Sequence, residues 1–330
     1  ATEALHLALA AFDAFYRAQN PPREPERIVG EENVAYVVEP PPPPSLIVAE
    51  CEHDALFEEG KHRAMLRAPL LRNGQVDLET LETILAAAPK PALIALQLAN
   101  NETGVIQPVA KAAALARQHG ALLLVDAAQA FTRIPVSIAD LDATYLVVSS
   151  HKIGGPPGAG ALVLAPGAPF VTTRFGGGQE RGRRPGTENG PALAGFGVAA
   201  EMGVRVLKDE AARLAALRDR FEAGLPADAV IFGQSAPRLP NTSNFALPGL
   251  AAETAVIAMD LEGVAVSSGA ACSSGKVRVS RVLSAMGVAP ALAKAALRVS
   301  FGWASTEADV DAALAALNKI AARRTLAGAA

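Results

Sequence analysis

The stretch "ALLLVDAAQ", residues 121–129, sets an uninterrupted apolar run directly before an acidic residue, Asp126. Runs of the same kind recur along the first half of the chain, at residues 46–50, 92–98, 144–150 and 161–165. Helical patterns at 78–88 and 109–119 lie between several of them. Continuous hydrophobicity is typical of parallel strands that are buried on both faces. Strands separated by helices therefore predict an α/β fold, with a mostly parallel sheet flanked by helices.

The length of the chain, 330 residues, exceeds the size at which a single hydrophobic core usually stops growing, so we expect two domains. Residues 1–200 are predicted to form the large domain and residues 201–330 a smaller α+β C-terminal domain. In this second part we expect a loop at 235–244, a strand at 245–249 and a closing amphipathic helix over 306–324.

Composition excludes several classes of partner. A net charge of -3 and a pI near 6.0 give no electrostatic footprint for nucleic acid. The apolar runs are too short or too broken to span a bilayer, so no membrane partner is expected. Two cysteines, Cys51 and Cys272, cannot form a disulfide framework for a chain of this length. We interpret both as free thiols in a reducing, cytoplasmic compartment.

Polar residues follow the predicted strands, at the sheet edge where such folds bind their ligands. They are His53, Asn101, Asp126, Gln129, Ser149, His151 and Lys152. A partly desolvated lysine loses its proton more easily and can form a Schiff base. Pyridoxal phosphate needs such a lysine, and it needs a carboxylate at its pyridinium nitrogen. Lys152 and Asp126 are the candidates for these two roles.

A phosphate group needs small donors and a helix N-terminus. The segment "ATEA", residues 1–4, opens an amphipathic helix, and Ser149 and His151 add side-chain donors. The loop "GGGQERGRRPGTENG", residues 176–190, is either a solvated loop or a place from which Thr187 reaches a phosphate. Arg298, in an apolar strand, is expected to bind a carboxylate through two hydrogen bonds, because an unpaired buried guanidinium is costly.

Cys272 lies in "AVSSGAACSSGKV", residues 265–277, among Gly, Ala and Ser. A structural cysteine usually sits among apolar residues. Either its position is accidental or this thiol has to travel.

In this order, "ATEA", "EHDAL", "NNETGVIQP", "DAAQ", "SSHKIGGPPGAGAL", "GGGQERGRRPGT", "PNTSNF", "SSGAACSSG" and "RVSFG" resemble the motifs of the cysteine desulfurases. These are pyridoxal-phosphate enzymes of the class V aminotransferase type, with fold-type I architecture. The segment "SSGAACSSGKV" is similar to that of group I, the iron–sulfur-cluster and nitrogenase type. Chains of this family begin before the "ATEA" motif, so we expect an N-terminal segment that is missing here.

The resemblance implies a role for each matching residue. Lys152 would hold pyridoxal phosphate, and Cys272, Lys152 and His53 would be catalytic. Asn101 and Arg298 would bind the substrate carboxylate, and Cys272 is also a candidate transient ligand of an iron–sulfur cluster, although no resident metal site is predicted. The implied cofactor-binding residues are Ala1, Thr2, His53, Asn101, Asp126, Gln129, Ser149, His151, Lys152 and Thr187.

The implied activity removes sulfur from L-cysteine, giving L-alanine and a persulfide on Cys272. The resemblance also implies a homodimer, with Thr187 reaching the phosphate of the other subunit. The persulfide sulfur would pass to an iron–sulfur scaffold protein or another sulfur acceptor. Two alternatives stay open: a selenocysteine lyase or other class V enzyme, and a truncated inactive homologue that acts as a binding partner.

Overall fold

A computed structural model describes residues 1–20, 26–29, 34–37, 44–59, 64–269 and 279–327 of the chain. Its strands are β1 (Glu26–Val29), β2 (Val34–Val37), β3 (Ser45–Ala49), β4 (Leu66–Ala68), β5 (Ala92–Ala95), β6 (Leu122–Asp126), β7 (Tyr145–Ser149), β8 (Gly160–Leu164), β9 (Val230–Ile231), β10 (Thr242–Ala246), β11 (Ser267–Ser268) and β12 (Ala296–Ser300). Its α-helices are α1 (Thr2–Gln19), α2 (Asp54–Glu59), α3 (Leu78–Ala87), α4 (Val109–Gln118), α5 (Gly190–Ala223), α6 (Ala252–Leu261), α7 (Arg281–Ala285), α8 (Pro290–Lys294) and α9 (Glu307–Ala327).

In the described part of the chain, the larger sheet has the strand order β4-β3-β5-β6-β7-β8. Every pair of neighbours is parallel except β7 and β8, which are antiparallel. The prediction of a mostly parallel sheet flanked by helices is therefore confirmed. A separate antiparallel pair is formed by β1 and β2.

Both faces of this sheet are covered, which explains the continuous apolar runs. Successive residues of a strand point to opposite faces. In β3, Leu46 packs in one apolar cluster with α1, and Ile47 packs in another with α3 and α4. The carboxyl ends of β3, β5, β6 and β7 consequently meet at one edge, where the predicted polar residues follow them.

The C-terminal part contains an antiparallel sheet in the order β11-β12-β10-β9. Its core joins this sheet to α6, α9 and the second half of α5, with Phe221 packed edge-on against Phe245 at 5.6 Å. The helix α7 packs elsewhere, because Val282 and Leu283 belong to the apolar cluster of the larger sheet. The domain boundary at residue 200 stays a prediction, and it falls inside the continuous helix α5.

The expected loop at 235–244 is wrong at its end. Residues 242–244 already belong to β10 and pair with β12, Asn244 lying opposite Arg298. The sequence analysis missed these strand residues because their side chains are polar, whereas buried strands were predicted from apolar runs. These side chains are nevertheless buried, because this end of the strand packs against the loop after β5, where Asn244 donates to the Glu102 carbonyl (3.0 Å).

Candidate active site

Asp126 ends β6 at the ligand-binding edge of the sheet and is buried. Its Oδ1 accepts a hydrogen bond from the Ala128 N–H (2.8 Å). Burial raises the pKa of Asp126, and the nearby His53 and Lys152 side chains act in the opposite direction. The structure therefore brings these three predicted residues into one electrostatic neighbourhood.

Lys152 lies in a 3-10 turn, Ser150–Ile153, that directly follows β7. The turn ends at Gly154, whose φ of 86° is the left-handed conformation that favours glycine. A side chain at Gly155 would meet the Ser150 Oγ at 2.4 Å, so this position has no room for a Cβ. The glycines of "HKIGG" are thus what allows a half-buried lysine to follow the strand so closely.

Arg133 links the segment after β6, which carries Gln129, to the turn after β7, which carries Lys152. This role was not predicted from the sequence. Its Nη1 donates to the Gln129 carbonyl (2.7 Å) and its Nη2 to the Lys152 carbonyl (2.8 Å). Burial lowers the pKa of Arg133, and the nearby Arg298 lowers it further. The only sign of this role in the sequence was a single cation four residues after Gln129, in a largely apolar stretch.

His53 lies in the short connection between β3 and α2, directly before the first residue of α2. Its Nδ1 accepts a hydrogen bond from the Ala55 N–H (3.1 Å). An acceptor nitrogen carries no proton, so this contact assigns the neutral ring's proton to Nε2. The imidazole is therefore held in one tautomer and orientation by the local backbone.

Ser149 and His151 form a second polar pair at the same edge. The Ser149 Oγ and the His151 Nδ1 lie 3.0 Å apart, the serine being buried and the histidine exposed. Burial lowers the pKa of His151, and the charge of Lys152 adds to this effect. Next to them, Thr2 is exposed in the first turn of α1, which packs against β7 and β8.

Arg298 and Asn101, the predicted carboxylate-binding residues, are in contact. The Arg298 Nη1 donates to the Asn101 carbonyl (2.8 Å) and its Nη2 to the Ser267 Oγ (3.2 Å). The preceding Asn100 rigidifies this loop: its Oδ1 accepts from the backbone N–H groups of Glu102 (3.0 Å) and Thr103 (2.8 Å). The motif "NNETG" is thus a closed turn that presents Asn101 to Arg298 in the C-terminal sheet.

No described contact joins the predicted residue Thr187 to this cluster. Thr187 is exposed in the segment before α5 and has no hydrogen-bond or ion-pair partner among the described residues. Cys272 lies outside the described residues. Cys51, the other cysteine, is fully buried, and burial raises the pKa of its thiol.

The sequence analysis also missed a buried carboxyl group, that of Glu52, and a half-buried one, that of Glu102. Burial raises the pKa of Glu52 to about 8, and the neighbouring Asp126 adds to the shift. Burial raises the pKa of Glu102 to about 7, against a hydrogen bond from the Ser280 hydroxyl. Glu52 accepts a long hydrogen bond from the His53 N–H (3.4 Å) through one carboxyl oxygen, while its Oε1 has no partner within the described ranges.

Glu52→Gln should flatten the pH dependence of stability. Because the folded pKa of Glu52 is raised to about 8, the folded state keeps a proton that the unfolded state releases near pH 4.5. The free energy of unfolding should therefore fall as pH rises between these values, by at most about 1.4 kcal/mol per unit from this one group. Urea denaturation from pH 5.5 to 8 should show a shallower fall in the variant.

Some slope should persist in Glu52→Gln, because Glu102 acts with the same sign up to about pH 7. The exposed Glu253 provides the control, since Glu253→Gln should keep the parent slope. Parallel curves for Glu52→Gln and the parent chain would show that Glu52 is ionised in the fold throughout this range.

Comparisons with known proteins identify the family of this chain. The family model described as aminotransferase class-V matches residues 34–313. The chain belongs to the class-V aminotransferases. Within this family, the predicted kinship with the group I cysteine desulfurases is confirmed by relatives that carry this name and by a NifS-like structure.

A cysteine desulfurase of Gluconacetobacter diazotrophicus is 41% identical over 253 residues, which cover 76% of this chain and 63% of that protein. A cysteine desulfurase of Cereibacter sphaeroides is 39% identical, over 83% of this chain and 70% of the relative. The structure of a NifS-like protein from Rickettsia africae matches with a TM-score of 0.79 and 31% identity, over 84% of this chain and 75% of that chain. The chain thus spans about two thirds of the length of these curated relatives.

Among the described residues, no three His, Cys, Asp or Glu side chains are grouped so that they could hold a metal ion. The helices in the described ranges are all too short or too polar to cross a membrane.

The residues present fit pyridoxal phosphate, the cofactor that the family implies. Asp126 offers a buried carboxyl group for a ring nitrogen, and Lys152 offers an amine in the same neighbourhood. The Ser149 hydroxyl and the His151 imidazole are donors of the kind a phosphate requires. The buried Ser150 Oγ, which has no partner in the described part of the chain, adds a further hydroxyl to the same turn.

Proposed function

We propose that this chain is a cysteine desulfurase that uses pyridoxal phosphate to convert L-cysteine to L-alanine and leaves the sulfur as a persulfide on Cys272. The observation that carries the proposal is that Asp126, Lys152 and His53 stand at or just after the carboxyl ends of parallel strands, at one edge of the sheet, in a chain whose relatives are named cysteine desulfurases.

When bound, the cofactor supplies an electron-withdrawing ring that stabilises negative charge at the amino acid Cα. Lys152 would hold the cofactor through its amine, and once the substrate amine has displaced it, the freed Lys152 amine would accept the proton from Cα. Asp126 keeps a negative charge at the ring nitrogen. Arg298 and Asn101 receive the substrate carboxylate, since a guanidinium matches the geometry of a carboxylate and can bind it through two hydrogen bonds.

The sulfur transfer is assigned to Cys272 as a thiolate, the form in which cysteine is nucleophilic. Its sulfur bonds to the substrate sulfur as the substrate C–S bond breaks, and a proton replaces sulfur on the substrate carbon. The thiol of Cys272 and L-cysteine thus become a persulfide and L-alanine. The sulfur of Cys272 is oxidised and the substrate carbon is reduced, so no external oxidant is needed.

The decisive experiment gives the purified chain L-cysteine, with and without added pyridoxal phosphate, and measures alanine and protein-bound persulfide together. We expect cofactor-dependent alanine and one persulfide, found by peptide mass spectrometry on Cys272. The buried Cys51 serves as the internal control and should carry none. Alanine formed without a persulfide on Cys272 would contradict the proposed sulfur acceptor within the enzyme.

The same assay distinguishes the alternatives. A selenocysteine lyase would release selenide from L-selenocysteine and leave L-cysteine unchanged. A truncated inactive homologue would take up no cofactor and form no product. No comparison favours either alternative, and the identity of the external acceptor, such as an iron–sulfur scaffold, stays a prediction. So does the cytoplasmic location.

We also propose that the chain works as a homodimer. The first half of α5 and the loop before it expose large apolar side chains, which supports a covering partner. They are Phe175, Leu193, Val198, Met202, Val204 and Val206. Thr187 lies in the same exposed region, consistent with a role in the other subunit's site. Sedimentation equilibrium should give the mass of two chains, and a monomer at micromolar concentration would overturn this assignment.

A further inference from the structure

Arg281, the first residue of α7, connects the C-terminal part of the chain to the segment that carries His53. Its guanidinium carbon lies 3.6 Å from the centroid of the Phe57 ring. It donates hydrogen bonds to the carbonyl groups of Glu50 and Glu52, and it pairs with the Asp54 carboxylate at 3.3 Å. All four partners lie in the eight-residue stretch 50–57, which also contains His53.

The turn after β3 depends on side chains from elsewhere. A chain that leaves a sheet has carbonyl groups without ladder partners, and these must be satisfied when buried. Arg281 satisfies the carbonyls of Glu50 and Glu52, while Gln97 and Asn100 donate to the carbonyl between them, that of Cys51. Three consecutive carbonyls are therefore fixed by donors from outside the turn, and His53 is the next residue.

We propose that Arg281 is a positioning residue that orients the His53 imidazole by holding the turn before it. The inference rests on the proposed function in one respect, namely that His53 faces the cofactor. The two carbonyl contacts and the ring contact carry the effect. The pair with Asp54 adds little, because that carboxylate is 64% exposed and exposed ion pairs contribute at most about 1 kcal/mol.

The chemistry of the site favours arginine over lysine. A planar guanidinium can donate to two carbonyls through a rigid fork while its flat face lies on an aromatic ring. A lysine ammonium would reach this ring or one carbonyl, but its point charge cannot reproduce the fork. Arg281→Lys should therefore retain only part of the effect.

The residue before Arg281 ties the same short helix to the other half of the site. The Ser280 Oγ accepts a hydrogen bond from the Leu283 N–H (3.0 Å), capping α7, and donates to the Glu102 carboxyl group. Glu102 follows Asn101 directly. One helix N-terminus therefore contacts both the loop of His53 and the loop of Asn101, which fixes their relative placement.

Arg67 offers a matched control within the chain. Its guanidinium lies over the same Phe57 ring, at 5.4 Å, and 3.9 Å from the Glu50 carboxylate. It makes no hydrogen bond to a backbone carbonyl in the described part of the chain, and its side chain is 58% exposed. Arg67→Met removes the same chemical group from the same ring without touching the carbonyls of the turn.

The test reads the imidazole directly, in the full chain with and without added pyridoxal phosphate. Nitrogen NMR of histidine-labelled protein has five imidazoles to resolve, and His53→Gln assigns the signal of His53. In the parent chain we expect a single neutral tautomer, with the proton on Nε2. Arg281→Met should convert this signal to a mixture of tautomers, and Arg67→Met should leave it unchanged.

The affinity for the cofactor supplies a second readout. Arg281→Met should raise the dissociation constant for pyridoxal phosphate about tenfold, the loss typical of removing hydrogen bonds from a charged donor. An unchanged His53 signal in folded Arg281→Met would overturn the proposal. If that variant does not fold, Arg281→Lys decides in the same way: the proposal requires a partial shift of the His53 signal and is overturned without one. A parent chain that binds no cofactor contradicts the proposed function, whereas the NMR comparison still tests Arg281.

Discussion

Replacing Lys152 by alanine is expected to lower alanine formation from L-cysteine by at least about a thousandfold. The loss removes both the amine that holds the cofactor and the base that takes the Cα proton, and positioned proton transfer alone contributes about 10²–10⁴-fold. The purified variant should also lose the visible absorbance that the parent chain gains with pyridoxal phosphate. Both quantities can be measured on one sample.

The fold should survive this substitution, which makes the result interpretable. Arg133 contacts the backbone carbonyl of Lys152, not its side chain, and the glycines after it keep their conformation. The melting temperature of the cofactor-free variant should therefore match that of the parent chain. Lys111→Ala, on the exposed side of α4, is the control and should keep full activity. Substantial turnover in Lys152→Ala would remove this lysine from the mechanism.

Asp126→Asn is expected to show opposite effects on activity and stability. Activity should fall by about a hundredfold or more, the usual cost of removing one preorganised electrostatic partner from an active site. The side-chain oxygen of asparagine can still accept the Ala128 N–H, so the local structure should persist. Because burial raises the pKa of Asp126, its ionised form destabilises the fold, and the neutral amide should increase the melting temperature of the cofactor-free protein.

The measurements for Asp126→Asn are alanine formation at saturating cofactor and thermal unfolding without cofactor at pH 8. Asp140→Asn, at an exposed position, is the matched control and should change neither. If the variant were both less active and less stable, the carboxylate would have a structural role that the present contacts do not contain. If it were fully active, the partner of the ring nitrogen would have to be sought elsewhere.

Much of the fold could be predicted because its signals are local. The apolar run before Asp126 shows where a doubly covered strand ends, and Lys152 could be located by the same reasoning. The start of β10 was missed because Thr242, Ser243 and Asn244 are polar, and only their packing against another part of the chain makes them strand residues.

The supporting contacts of the site could not be predicted, since they join residues that are distant along the sequence. Arg281 contacts a segment about 230 residues earlier, and Ser280 contacts Glu102 over 178 positions. A pattern search finds a cation or a serine at such positions but no reason for its presence. The roles assigned to Gln129 and Thr187 came from resemblance to the family, and they stay predictions.

The helix α5 has a mechanical consequence for the molecule. Its first half packs beside the turn of Lys152, and its second half supplies Leu214, Leu217 and Phe221 to the C-terminal core. At 1.5 Å per residue, its 34 residues form one continuous rod about 50 Å long. The part of the chain with the larger sheet and the C-terminal part are therefore joined by a rigid continuous helix and not by a flexible linker. A force applied to the C-terminal part would be transmitted along this helix to the turn that contains Lys152.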